Sequence, residues 1–300
     1  MSEGWEAIRL EGWEAIRLES WKARRPESFQ ASQLPGIQAE QFEIDMSAEP
    51  IIETKDLTIR FGGHVAVDHV NLRVEPFTLK SIIGPNGAGK TTFFNLLSGQ
   101  YKPTGGRVFF RGSDITHLGP AMRTRLGIGR SFQLTNIFPL LSVLENVRIA
   151  IQSRQRFGLN FWRNYLHFSE TEDEAYAILE EVLLDGRWAD PASALTHGEQ
   201  RKLELAILMA LKPKVLFLDE PTAGMSQEEV PAILKILDQI KSSRDRTILL
   251  VEHKIDMIMA LSDSIAVLQE GRLIADGDPD TIHRSREVQE AYLGGGARHE

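Results

Sequence analysis

Residues 84–91 read Gly84-Pro85-Asn86-Gly87-Ala88-Gly89-Lys90-Thr91, and Thr92-Phe93-Phe94-Asn95-Leu96-Leu97 follows. The spacing is GxxxxGK followed by Ser or Thr, a loop whose glycines let backbone amides curl around phosphate groups. Before it the apolar run Ser81-Ile82-Ile83 reads as the end of a buried strand; after it the pattern turns helical. Strand, glycine loop and helix in that order separate a phosphate-binding loop from an ordinary glycine-rich turn. A helix beginning near Lys90 aims about half a positive charge at its ligand. Lys90 adds a full charge for the β and γ phosphates, and the Thr91 hydroxyl can ligate Mg²⁺. The expected nucleotide-contacting set is therefore Gly84 through Thr92.

Further along, Val215-Leu216-Phe217-Leu218-Asp219-Glu220 places two acids after four apolar residues. The apolar residues bury the strand, so the acids emerge at its carboxyl end, where open α/β sheets hold ligands. Asp219 can hold Mg²⁺ through its water shell, and Glu220 is placed to take a proton from an attacking water. Alone the segment would read equally as a strand running into a solvated loop. Beside the glycine loop it reads as the second half of a phosphate site.

Bulk properties bound the rest. With 300 residues, 42% of them apolar, the chain can fill one large α/β domain or two small ones. A formal charge of −8 argues against general attraction to nucleic acid or anionic lipid, so phosphate binding must be local. The absence of cysteine excludes disulfides, thiolate metal sites and cysteine nucleophiles. Apolar runs such as Ala206 to Leu211 and Ile248 to Val251 fall far short of the roughly 18 to 20 residues of a membrane helix. The N-terminus is acidic and carries tryptophan, unlike a secretory signal, so the expected address is the cytosol.

Residues 3–10 and 11–18 both read EGWEAIRL. A period of eight turns a helix by about 80° per copy, so Trp5, Trp13 and Trp21 form no stripe. The repeat reads as a disordered extension, with a partner-binding peptide as the alternative, and residues 26–50 read as a linker. The folded domain is expected over 46–300, with 1–45 outside it. From Ile51, the runs IIETKDLTIRF, VNLRV and LKSIIG predict an antiparallel β layer feeding a buried strand. The remainder alternates VLFLDE, a helix from Gln227 to Ser242, TILLVEH, a helix through Leu261, and the hairpin SIAVLQEGRLIADG. That alternation predicts a largely parallel sheet with helices on both faces. A helical subdomain is inserted at about 135–210.

With these residues in hand, the chain from about Ile51 to Gly294 resembles the ATP-binding cassette (ABC) family. The diagnostic piece is Leu195-Thr196-His197-Gly198-Glu199-Gln200, which is similar to the family's LSGGQ signature with threonine for serine, histidine for the first glycine and glutamate for the usual glutamine. The resemblance implies an α/β fold: a P-loop NTPase cassette with a RecA-like core, an antiparallel β layer and a helical subdomain. It implies that Thr196, His197, Gly198, Glu199 and Gln200 close on ATP held by a second cassette. It further implies that Phe61 stacks on adenine, with a core phenylalanine as the alternative, and that Gln133 reaches the metal and the attacking water. His253 matches the switch histidine contacting the γ-phosphate. Ser226 stands where the family often has an aspartate in the loop between cassettes.

Within the family, RFGGHVAVDHVNLRV, FFNLLSGQYKPTGG, RSFQ with FPLLSVLENV, Glu252-His253 and EVQEAYLGGG resemble the cassettes of branched-chain amino-acid importers. The aromatic segment Gly158 to Phe168 lies where that group carries an insertion; it reads as core packing, with a membrane-facing patch as the alternative. The likeness implies an ATPase using ATP and Mg²⁺, attached to the cytoplasmic face of the inner membrane. Its partners would be permease subunits, a second cassette and, indirectly, a solute-binding protein, with no nucleic acid. Urea or amide import ranks second and lipopolysaccharide export third. A soluble ABC ATPase of translation or DNA repair is the reading from another class.

Overall fold

The computed structural model describes residues 49–131, 137–154 and 168–293, all within the unit Ser47–Glu300. The tandem repeat, Gln133, nearly all of the aromatic segment 158–168 and the final glycine run lie outside the described residues. In chain order come β1 (Ile52–Phe61), β2 (His64–Val70), β3 (Arg73–Val74), β4 (Leu79–Ile83), α1 (Lys90–Leu97), β5 (Gly105–Phe110), β6 (Ser113–Asp114), α2 (Pro120–Leu126) and β7 (Ile128–Arg130). Then follow α3 (Val143–Arg154), α4 (Phe168–Glu181), α5 (His197–Ala210), β8 (Val215–Asp219), α6 (Val230–Ser242), β9 (Thr247–Val251), α7 (Ile255–Leu261), β10 (Ser264–Gln269), β11 (Arg272–Gly277), α8 (Pro279–Arg284) and α9 (Arg286–Leu293).

Among the described residues two sheets form. One is antiparallel, in the order β2-β1-β5-β6 with β3 also on β1; the other runs β11-β10-β4-β9-β8-β7. The second is parallel from β10 to β7, and only β11 is antiparallel. The expected β layer and parallel sheet are both present, with local differences. The run VNLRV is not one strand: Phe61 pairs with His64 across the turn at 62–63, so pairing starts earlier and β2 ends at Val70. Thr54 Oγ1 then donates to Val70 O and accepts from Leu72 N, replacing ladder bonds where β2 gives way to β3. The helix expected from Gln227 begins at Val230, with Pro231 in the first turn, where its missing N–H is no loss.

Strands β4, β8 and β9 are buried along their whole length, as parallel strands covered on both faces must be. Their side chains alternate between two cores. Leu79, Leu216, Leu218, Ile248 and Leu250 join α3, α4, α5 and α6 on one face. Ile82, Val215, Phe217, Leu249 and Val251 join α1 and the antiparallel sheet on the other. Each such fully buried side chain contributes about 1.5 to 3 kcal/mol.

Arg123, 0% exposed, anchors the far end of α1. Its guanidinium donates to the carbonyls of Leu96 and Leu97 (both 2.7 Å), Ile115 (2.8 Å), Thr116 (3.1 Å) and Leu118 (2.9 Å). A cation at a helix C-terminus complements the dipole. Burial lowers its pKa to about 10, so it remains charged at neutral pH.

Candidate functional site

Helix α1 opens at Gly89, which has φ 95° and brings no side chain to cap the helix. A Cβ there would meet the Ala66 carbonyl oxygen at 2.4 Å, so only glycine fits. The first-turn amides are thus left for a ligand. Lys90 Nζ folds back to donate to Gly84 O (2.8 Å) and Pro85 O (3.0 Å). Desolvation lowers its pKa against the opposing charges of Glu220 and Asp219. A desolvated ammonium among free amides suits a polyphosphate.

Asn86 through Thr92, Phe61, Glu220 and His253 line one open cleft of about 420 Å³. Gly84 and Pro85 form the loop's entry. His253 Nε2 lies 2.8 Å from Glu220 Oε1 at this cleft, so two groups read from different strands meet. Glu220 sits just past β8 in a left-handed conformation, φ 50°, its amide donating to Val251 O at 2.8 Å. Buried Glu252 anchors this junction, accepting from His253 N at 2.7 Å and from the Thr222 hydroxyl. Phe61 is 46% exposed and so is not a core residue. It packs in a T-shaped pair with the ring of Tyr101, centroids 5.5 Å apart. The sequence reading missed Tyr101, because a lone tyrosine carries no motif.

Asp219 does not line the cleft; its side chain is 1% exposed at the end of β8. Burial raises its pKa, and Arg130 is the largest effect working against that. Among the described residues no group of three His, Cys, Asp or Glu could hold a metal. Mg²⁺ typically takes one or two carboxylates plus substrate phosphates rather than a protein cage. Thr91 and Asp219, whose Oδ1 has no partner among the described residues, fit such a site.

The segment Thr196 to Gln200 does not line the cleft. It opens α5 with a capping box: Thr196 Oγ1 accepts from Glu199 N at 3.3 Å, and Glu199 Oε2 accepts from Thr196 N at 2.9 Å. Gly224, φ 76°, lies beneath His197; a Cβ there would come within 2.9 Å of His197 Nε2. Ser226 donates from its amide (3.0 Å) and hydroxyl (3.2 Å) to Glu229 Oε2, whose carboxylate also adjoins Gly198. The replacements His197 and Ser226 thus belong to one cluster joining the signature to the loop after Glu220.

Residues 67–223 match the family described as "ABC transporter". The chain belongs to that family. This ABC cassette also matches, over residues 272–298, the family described as "Branched-chain amino acid ATP-binding cassette transporter". It is 40% identical over 254 residues to the high-affinity branched-chain amino acid transport ATP-binding protein BraF of Pseudomonas aeruginosa, covering 82% of this chain and 99% of that protein. It resembles the crystal structure of the ADP conformation of MJ1267, an ATP-binding cassette of an ABC transporter (TM-score 0.71, 28% identity, 82% and 100% coverage). The cassette MJ0796, solved as a dimer in a post-hydrolysis state with ADP and Pi, gives a TM-score of 0.65 at 25% identity, with 76% and 98% coverage.

Proposed function

We propose that the cassette holds ATP with Mg²⁺ in the cleft and hydrolyses it when the Thr196–Gln200 face of a second cassette closes over the phosphates. The cycle powers import of branched-chain or other hydrophobic amino acids. The observation that carries the chemistry is the 2.8 Å contact of His253 with Glu220 beside the loop of Lys90. Glu220 takes the proton of the attacking water, and His253 orients that carboxylate and meets the γ-phosphate. Lys90 and the amides of Gly87 and of Gly89 to Thr92 hold the phosphates, while Phe61 stacks on adenine. Mg²⁺ would supply positive charge that neutralises the phosphates. Thr91 and Asp219 would hold it, with Gln133 completing the set. The products are ADP and phosphate.

The likeness to BraF and the C-terminal family match support the amino-acid substrate class; the dimeric MJ0796 supports the second cassette. Among the described residues no helix is long and apolar enough to cross a membrane; on this reading separate permease subunits form the pore, fed by a solute-binding protein. An apolar patch at Phe138, Leu140 (89% exposed) and Leu141 supports docking on such subunits at the cytoplasmic face of the inner membrane. The test is affinity capture of the tagged chain from detergent-solubilised membranes, followed by ATPase assay in vesicles. Two permeases and solute-stimulated hydrolysis are expected. Co-purification with ribosomes or DNA ends and no membrane protein would overturn the transport reading.

A further inference from the structure

Arg130 ends β7, and its side chain, 11% exposed, enters a polar seam between α1 and β8. Its Nη1 donates to Asn95 Oδ1 and to Ser98 Oγ, both at 2.6 Å. Its Nη2 donates to Asp219 Oδ2 at 3.3 Å. The guanidinium also lies 6.0 Å from the centroid of the Phe94 ring. One planar cation with donors in fixed directions therefore joins the far end of the helix that begins at Lys90 to the carboxylate that closes β8. That carboxylate is buried, and among the described residues only Oδ2 is tied, since Oδ1 has no partner there. A buried carboxylate without a partner is strongly unfavourable; one held at a single oxygen keeps the other available in a fixed orientation.

We propose that Arg130 is a positioning residue for the divalent cation of the nucleotide, holding Asp219 by Oδ2 so that Oδ1 is left to the metal. Unlike Lys90, Glu220 and His253, it does not line the nucleotide cleft. The proposal rests on the reading of Asp219 as a metal residue. A role as a plain strut between α1 and β8 would predict lost stability with no selective effect on metal.

The test uses the full chain with the non-hydrolysable β,γ-imido analogue of ATP and Mn²⁺ as the metal probe, free Mn²⁺ being counted by electron paramagnetic resonance. Nucleotide binding is measured separately in EDTA. Arg130→Gln is expected to weaken Mn²⁺ in the ternary complex by about 10- to 100-fold, the usual consequence of losing a ligand's outer partner. Metal-free nucleotide binding should stay as in the native chain, and Arg130→Lys should recover part of the loss. If Arg130→Gln does not fold, the double variant Asn95→Ala/Ser98→Ala, which frees the cation's other arm, should show a smaller loss of the same selective kind. Mn²⁺ affinity equal to native in a folded variant, or an equal loss with and without metal, would overturn the proposal. Failure of the native chain to bind Mn²⁺ with the nucleotide would instead reject the metal site itself.

Discussion

Helix α1 starts at Gly89 with no side-chain cap and Lys90 beside its amides, whereas α5 starts at Thr196 with a reciprocal Thr196–Glu199 box and the Glu229 carboxylate next to Gly198. Both ends carry a helix dipole suited to anions. Only the first is left open and given a lysine. The second is already occupied by negative charge from its own chain, so it suits a phosphate whose charge is largely neutralised by other groups. Under the proposed function that difference is a division of labour: α1 would grip a triphosphate by itself, and α5 would add a contact to one that another chain already holds.

The largest effect is expected at the chemistry beside α1. Glu220→Gln should lower phosphate release by about 10²- to 10⁴-fold, the usual worth of a general base, while nucleotide still binds; ordinary turnover would remove Glu220 from its role. Lys90→Ala should weaken nucleotide binding by about 10- to 100-fold through loss of charge-assisted hydrogen bonds, read by equilibrium titration; retained tight binding would break the asymmetry of the two helix ends. Phe61→Ala should weaken adenine nucleotides by about 1 to 3 kcal/mol, by analogy with base stacking elsewhere, with Phe61→Trp retaining affinity. The smallest effect lies at α5. Thr196→Ala should cost about 1 kcal/mol of stability in urea unfolding, as N-cap losses do, and leave the single chain's nucleotide affinity unchanged. A fall in that affinity would place α5 in the chain's own site.

What was legible in the sequence follows the same division. Motifs fixed by local geometry, such as Gly84 to Thr92 and the apolar run ending in Asp219-Glu220, could be read because spacing along one loop or strand dictates where the groups point. The layering was legible too, since β4, β8 and β9 are runs of apolar residues. The buried cations were not. Lys80 ends on Asp276 and the Arg73 carbonyl, Arg123 on carbonyls of two segments, 96–97 and 115–118, and Arg130 on α1 and β8. Their partners lie as many as 196 residues away, and no periodicity marks a charge whose burial depends on what the fold brings to it. The short edge strand β7 was missed for a similar reason: three residues carry no alternation, and their pairing with β8 supplies the signal.

Specific ATPase activity measured across a wide range of dilution, with and without the partner cassette, tests the division most directly. A cradle on one chain and a cap on another predict activity per molecule that climbs with concentration, or with added partner, and vanishes on dilution. Appreciable activity that stays constant per molecule down to the most dilute sample would contradict it.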